Sequence, residues 1–216
     1  MSAESGIPTY RGAGGVWAEY DWEHYACQQA FDSAPARVID FHDLRRETCL
    51  AARPHAGHAA LAAAEQRYPG LAVVTQNIDG MHQRAGNLRV TELHGSLWRV
   101  RCPLHGVQDL AGEPRQPRHC QHCGAWLRPA ISWFGDMLDE AVFAAAGRLI
   151  SESALFIGVG TSGVVWPAAG FAEAARAGGA RCVEINPAAT ELSGLYDDVL
   201  RAPASEALVS LFGAAG

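Results

Sequence analysis

A parallel α/β sheet with a smaller metal-holding and helical lobe is the fold class this sequence predicts. Three features carry the prediction: short, wholly apolar runs, an Ala-rich segment between two of them, and a group of cysteines and histidines away from those runs. Strands covered by helices on both faces read as continuous apolar runs rather than as alternation. With 216 residues, 49% of them hydrophobic, the chain can bury one sizeable core or a larger and a smaller lobe sharing a cleft. The formal charge of −6 argues against a nucleic-acid-binding surface. No apolar run approaches the ~18 residues a bilayer span needs, and no cleavable signal is recognisable, so the cytoplasm is the expected location.

Taken in order, the chain opens on SAESGIPTYRG (2–12), whose Ser, Gly and Pro content reads as a loop already under way. Trp17 to Tyr68 is mostly helical in pattern. Its best segment is the Ala-rich run Ala56 to Tyr68, stopped by Pro69-Gly70. LAVVTQ (71–76) reads as a buried strand, NIDGMH (77–82) as a polar loop, and VTELHGSLWRVRC (90–102) as one alternating segment. VQDLAGEPRQPRH (107–119) shows no periodicity. ALFIGV (154–159) and CVEIN (182–186) are two further buried strands, joined by the helical composition of PAAGFAEAARAGG (167–179). Strand, helix, strand at this spacing predicts a right-handed parallel unit.

The clearest local chemistry is in CPLH (102–105) and CQHC (120–123), which place Cys102, His105, Cys120 and Cys123 at the ends of two tight turns. A Cys3His set is a closed, four-coordinate structural zinc arrangement. Free buried thiols are the alternative, and His119 or His122 could replace His105. GVGTSG (158–163) follows a strand, precedes a helical segment and has Glu184 on the next strand, matching a dinucleotide fingerprint. Pro167, however, lengthens its loop, and the motif alone does not assign pyrophosphate. TQNIDGMH (75–82) puts amide and carboxylate groups at a strand's carboxyl end, where ligands of parallel sheets bind; an Asx turn satisfying its own backbone is the competing reading. In ELHGS (92–96), His94 stands beside a glycine that would let a ligand come close.

In this order SAESGIPTYRG, TQNIDGMH, ELHGS, the paired metal ligands, RPAISWFGD, GVGTSG and EINP resemble the sirtuins, NAD-dependent protein-lysine deacylases. The resemblance spans nearly the whole chain. It implies a Rossmann-like NAD-binding domain built from residues 1–16, 70–98 and 130–216, a helical insertion at 17–69 and a zinc-binding ribbon at 99–129. NAD and an acyl-lysine peptide would share the cleft, with nicotinamide and O-acyl-ADP-ribose as products. The resemblance further implies that Asn77, Ile78 and Asp79 form a nicotinamide pocket, that Gln76 meets the adjoining ribose, and that His94 is the general base acting on that ribose. Ser2 and Ala3, and the pair Tyr10 and Arg11 of a loop covering NAD, would contact the cofactor. Gly160, Thr161, Ser162, Asn186 and Ala204 would hold its adenosine side. Ile131, Phe134 and Gly135 match the strand on which a substrate peptide pairs. Zinc would be structural.

FHDLRR (41–46) resembles the stretch that meets the carboxylate of succinyl- or malonyl-lysine in one sirtuin subgroup, with Arg45 kept and His42 standing where that subgroup has Tyr. A partly protonated His42 could donate to a carboxylate; a solvated basic helix face is the alternative. The same NAD chemistry would also serve an ADP-ribosyltransferase or NAD glycohydrolase, and a non-catalytic NAD-binding module is a further rival. Sirtuins carry a central strand and a Gly-Ala-Gly turn ahead of the loop equivalent to SAESGIPTYRG. The expectation is therefore that Met1 corresponds to an internal methionine.

Overall fold

The computed structural model describes residues 1–9, 15–110 and 112–213. The expected positions Tyr10 and Arg11 lie outside these. Helix α1 (Pro35–Ala51) begins on a proline, whose missing N–H costs nothing in a first turn. Helix α2 (Ala56–Arg67) is capped by His55, whose ring accepts from the Gly57 amide at 3.0 Å. The strands are β1 (Val73–Thr75), β2 (Val90–Glu92), β3 (Gly95–Cys102), β4 (Gly106–Asp109), β5 (Arg128–Ile131), β6 (Leu155–Val159), β7 (Arg181–Ile185) and β8 (Asp198–Leu200). Helices α3 (Glu140–Ser151), α4 (Phe171–Ala177) and α5 (Ala204–Phe212) complete the main set.

The buried runs behave as expected: β6, β7 and β8 form a parallel sheet in that order, and β1 pairs with β2 in parallel. α3 and α4 pack on one face of the parallel strands. Val74 and Phe156 join their cluster around Ala146, Ile150 and Ala175. On the other face α2 and α5 close over Ile157, Val159 and Ile185. Two layers of helices therefore sandwich the strands and bring the carboxyl ends of β1 and β6 to the same edge.

Two segments depart from expectation. The alternating run 90–102 is two strands in two different sheets, because Gly95 turns the chain at φ +75°. The aperiodic stretch 107–119 begins inside β4, held by its antiparallel pairing with β3; a strand this short leaves no period to read. β4, β3 and β5 form a separate antiparallel sheet beneath the metal-ligand turns. Among the described residues no helix is long and apolar enough to cross a membrane.

Candidate active site and metal centre

His94 stands at the break between β2 and β3. Its Nδ1 lies 3.0 Å from the Gln76 carbonyl oxygen, which can only accept, so Nδ1 carries the proton and Nε2 keeps its lone pair. Burial holds the imidazole below its ordinary value, partly offset by that hydrogen bond. Gly95 serves a neighbouring strand and not a ligand: a Cβ there would lie 2.1 Å from the Ala130 carbonyl oxygen. The close approach of β5 lets the Ser132 amide donate to the His94 carbonyl at 2.9 Å, pinning the histidine's backbone from the opposite side.

The loop after β1 is built by its own polar groups and also faces the cavity. Thr75 Oγ1 accepts from the Asn77 amide at 3.0 Å, and a carboxylate oxygen of Asp79 accepts from the Met81 amide at 2.9 Å. The Asx-type turn is thus present, yet Asn77 still sends its side-chain amide outward, donating to the Ser2 hydroxyl at 2.8 Å. Ile78 is buried, and Trp98 Nε1 donates to the Asp79 carbonyl at 2.8 Å. Thr75 and Trp98 have no expected role from sequence; a threonine two residues ahead of Asn is the one signal that was legible, as a side-chain turn.

Gln76, Asn77, Ile78, Asp79, His94, Ser2 and Ala3 line one cavity with Gly160, Thr161, Ser162, Asn186 and Ala204, and its volume is about 1920 Å³. The glycine motif does not open a helix there, since the next helical turn starts only at Ala168. Its glycines admit protein atoms: a Cβ at Gly158 would lie 2.4 Å from the Tyr196 hydroxyl. Glu184 is likewise spent, its carboxylate accepting from Thr190, Ser193 and Arg201. Both findings remove the pyrophosphate-fingerprint reading. Asn186 braces the loop by donating to the Thr161 carbonyl at 2.9 Å. The Ala204 amide is already held by the Glu4 carboxylate at 2.9 Å, which leaves it no hydrogen to offer a ligand.

His42 and Arg45 also line the cavity, both buried. The geometry corrects the expectation for His42. Its Nδ1–H donates to the Val38 carbonyl at 2.8 Å, and its Nε2 accepts from Trp133 Nε1 at 3.3 Å. Burial presses its pKa down to about 3. The ring is neutral and has no donor left for an acyl carboxylate. On the substrate side, the amides of Ser132, Trp133 and Phe134 are committed to His94, Asp136 and Ala26. Ile131 pairs with Gly95. Gly135, at φ +84°, lines the cavity, and its N–H has no backbone partner among the described residues.

Cys102, His105, Cys120 and Cys123 converge, their ligand atoms all within 4.8 Å of one another. Cys102 Sγ is 3.5 Å from both His105 Nδ1 and Cys123 Sγ, and Cys120 Sγ is 3.6 Å from His105 Nδ1. Tetrahedral zinc with bonds of about 2.3 Å to sulfur and about 2.1 Å to nitrogen sets such separations at about 3.5–3.8 Å. The donor set and its spacing fit zinc with all four positions filled. The backbone N–H of His122 helps hold the Cys120 thiol down to about 6, readying it as thiolate. His119 is not part of the set: its ring turns away to the Gly124 carbonyl.

Residues 1–167 match the Sir2 family. The chain belongs to that family. It is 40% identical over 215 residues to an NAD-dependent protein deacylase of Aquifex aeolicus, covering 98% of this chain and 90% of the relative. It is 43% identical over 213 residues to NAD-dependent protein deacylase 2 of Pyrobaculum aerophilum, covering 98% and 86%. A solved Sir2 homologue in complex with ADP-ribose superposes with a TM-score of 0.91 at 38% identity, covering 98% of this chain and 86% of that one. The expected Rossmann-like sirtuin fold is therefore the observed one.

Proposed function

We propose that this sirtuin removes acyl groups from protein lysines with NAD as co-substrate, His94 serving as the general base. The observation that carries this reading is the hydrogen bond from His94 Nδ1–H to the Gln76 carbonyl, which leaves Nε2 unprotonated in the cavity shared with Asn77 and Asp79. NAD, when bound, supplies an electrophilic ribose carbon with nicotinamide as leaving group. Asn77 and Asp79, with Ile78 beside them, present the amide-matching groups for the nicotinamide end, and Gln76 stands next to them for the ribose. Gly160, Thr161, Ser162 and Asn186, with Ser2 and Ala3 across the cleft, hold the remainder. His94 takes up a proton at Nε2, which its burial-depressed basicity keeps free for the task at neutral pH. Gly135, together with the carbonyls near Ile131 and Phe134, receives the acyl-lysine peptide. Zinc holds the antiparallel module and takes no part in the reaction.

In this reading residues 1–16, 70–98 and 130–216 make the cofactor-binding unit, 17–69 a helical insertion and 99–129 the zinc module. The split is supported by the separate antiparallel sheet of β4, β3 and β5. The test is NAD consumption on an acetyl-lysine peptide, followed by product analysis. O-acyl-ADP-ribose is expected, with His94→Ala slower by about 100-fold or more. Free ADP-ribose or ADP-ribosylated protein in its place, or an unimpaired His94→Ala enzyme, would sink the assignment.

A further inference from the structure

Helix α2 buries one acid, Glu65, beside Gly57, His58, Ala60, Ala62 and Ala64. A buried carboxylate is costly unless its oxygens are paired, and this one is held from several sides. It accepts from Asn87 Nδ2 at 2.7 Å, from the Leu88 and Arg89 amides at 3.0 and 2.7 Å, and from Arg89 Nε at 3.2 Å. Burial pushes its pKa up, but these hydrogen bonds outweigh burial and hold it below its ordinary value, so the group is ionised at neutral pH. Arg89 extends the contact: its Nη2 donates to the backbone carbonyl of Glu65 at 2.9 Å, and its Nη1 to the carbonyl of Pro69. One carboxylate and one guanidinium therefore fasten the chain ahead of β1, at Pro69, and ahead of β2, at 87–89.

The opposite ends of the same two strands carry the working groups. β1 and β2 pair through Val73–Val90, Val74–Thr91 and Thr75–Glu92. β1 runs on into Gln76 and the loop to Asp79, and β2 into His94. The bond from His94 Nδ1–H to the Gln76 carbonyl belongs to this alignment. Little within the strands fixes it: every residue of β2 is half-buried, so no apolar alternation separates one alignment from the next. A slip of one residue would carry the histidine along by about 3.3 Å and turn it to the other face of the pair. The clamp supplies what the pattern lacks. Arg89, which it grips by amide and side chain, accepts from the Val73 amide at 2.9 Å through its own carbonyl, where the pairing begins. Setting register is the best-attested use of a buried ionic group.

We propose that Glu65 is a positioning residue for the reaction: its carboxylate sets the alignment of β2 with β1 and thereby places His94 on the Gln76 carbonyl. The proposal rests on the reading of His94 as general base. Glu65, Asn87 and Arg89 are not among the described residues that line the cavity, so the effect passes through the strands.

The test compares the full chain with Glu65→Ala and with Glu65→Gln, which keeps the side chain's shape and one acceptor oxygen. Three quantities are read: the NMR resonance of the His94 Nδ1–H proton, kcat and KM on an acetyl-lysine peptide, and calorimetric affinity for ADP-ribose. Glu65→Ala is expected to shift or lose the resonance and to lower kcat by about tenfold or more, with ADP-ribose affinity kept within about twofold. Glu65→Gln is expected to fall between wild type and alanine on the first two, and it decides alone if the alanine variant does not fold. A His94 resonance unmoved in the variants overturns the proposal. So does a joint fall of kcat and ADP-ribose affinity, which marks general loss of the fold. A wild-type chain that binds ADP-ribose without deacylating would sink the general-base reading, while the resonance would still decide whether Glu65 sets the alignment.

Discussion

The metal module and the cofactor cleft solve the same problem, holding polar groups in a fixed array, by opposite means. In the module all four ligands sit on two tight turns beside β3, and the backbone between them is a small antiparallel sheet with local pairings. In the cleft the groups arrive from the ends of β1, β2, β6 and β7 and from residues 1–4, elements far apart in the chain. The module is rigid through one central bond network. The cleft is held by apolar packing of helices on both faces of its strands. What differs is where the constraint is stored: in a single ion's coordination in one case, in distributed packing in the other.

The sharpest way to break this contrast is to remove the ion. Chelation, or Cys120→Ser, is expected to abolish zinc content and to unprotect residues 102–127 in hydrogen exchange, while β6 and β7 keep their protection; structural zinc commonly supplies about 10 kcal/mol or more of folding energy. Simultaneous loss of protection in β6 and β7 would show that the two regions are not separately held.

A second test acts on the cleft by pH. Because burial lowers the His94 pKa, its working neutral form persists below the ordinary histidine range, so kcat/KM should stay level down to about pH 6.5 and fall only below it. An acid limb centred above that value would contradict the buried, Gln76-bound ring. His42 gives a smaller and opposite expectation. Neutral throughout, it adds no charge as pH falls from about 8 to about 6, so the ratio of succinyl- to acetyl-peptide turnover should stay flat. A rise of about tenfold, equal to about 1.4 kcal/mol, would restore its role as a carboxylate donor. For stability the sign is the same for any such buried ring. With the folded pKa depressed, the contribution is full above the unfolded value and is lost as pH falls toward the folded one.

The smallest expected effect concerns the cleft's rim. Glu4 accepts from the Ala204 and Ser205 amides at 2.9 and 3.0 Å, standing in for a side-chain cap that Pro203 cannot supply. Glu4→Ala should cost about 1 kcal/mol in chemical denaturation, with the metal module's exchange unchanged.

The two regions also differ in how much of them could be read from residues alone. The Ala56 helix, the apolar strands and the ligand turns are local patterns, and each came out where composition and spacing put it. The cleft depends on distant partners. His42 was legible as a helix-face histidine, but its neutrality is set by burial, and the partner of its Nε2 is Trp133, 91 residues away. The segment around His94 looked like one strand because alternation does not reveal that Gly95 hands the chain from one sheet to another. Glu184 and the glycines of 158–163 matched a motif by spacing, while their actual partners, Tyr196, Thr190 and Ser193, come from a loop no motif includes.

The Glu4 contact has a consequence for the order of events during synthesis. The carboxylate is synthesised well before its partners, since the amides it caps follow 200 and 201 residues later. Until then the opening turn beside Asn77 has no anchor at its far end. The rim of the cleft can therefore be assembled only after translation has passed Ser205, and a nascent chain stalled before that point should carry a folded metal module beside an unfinished cofactor site.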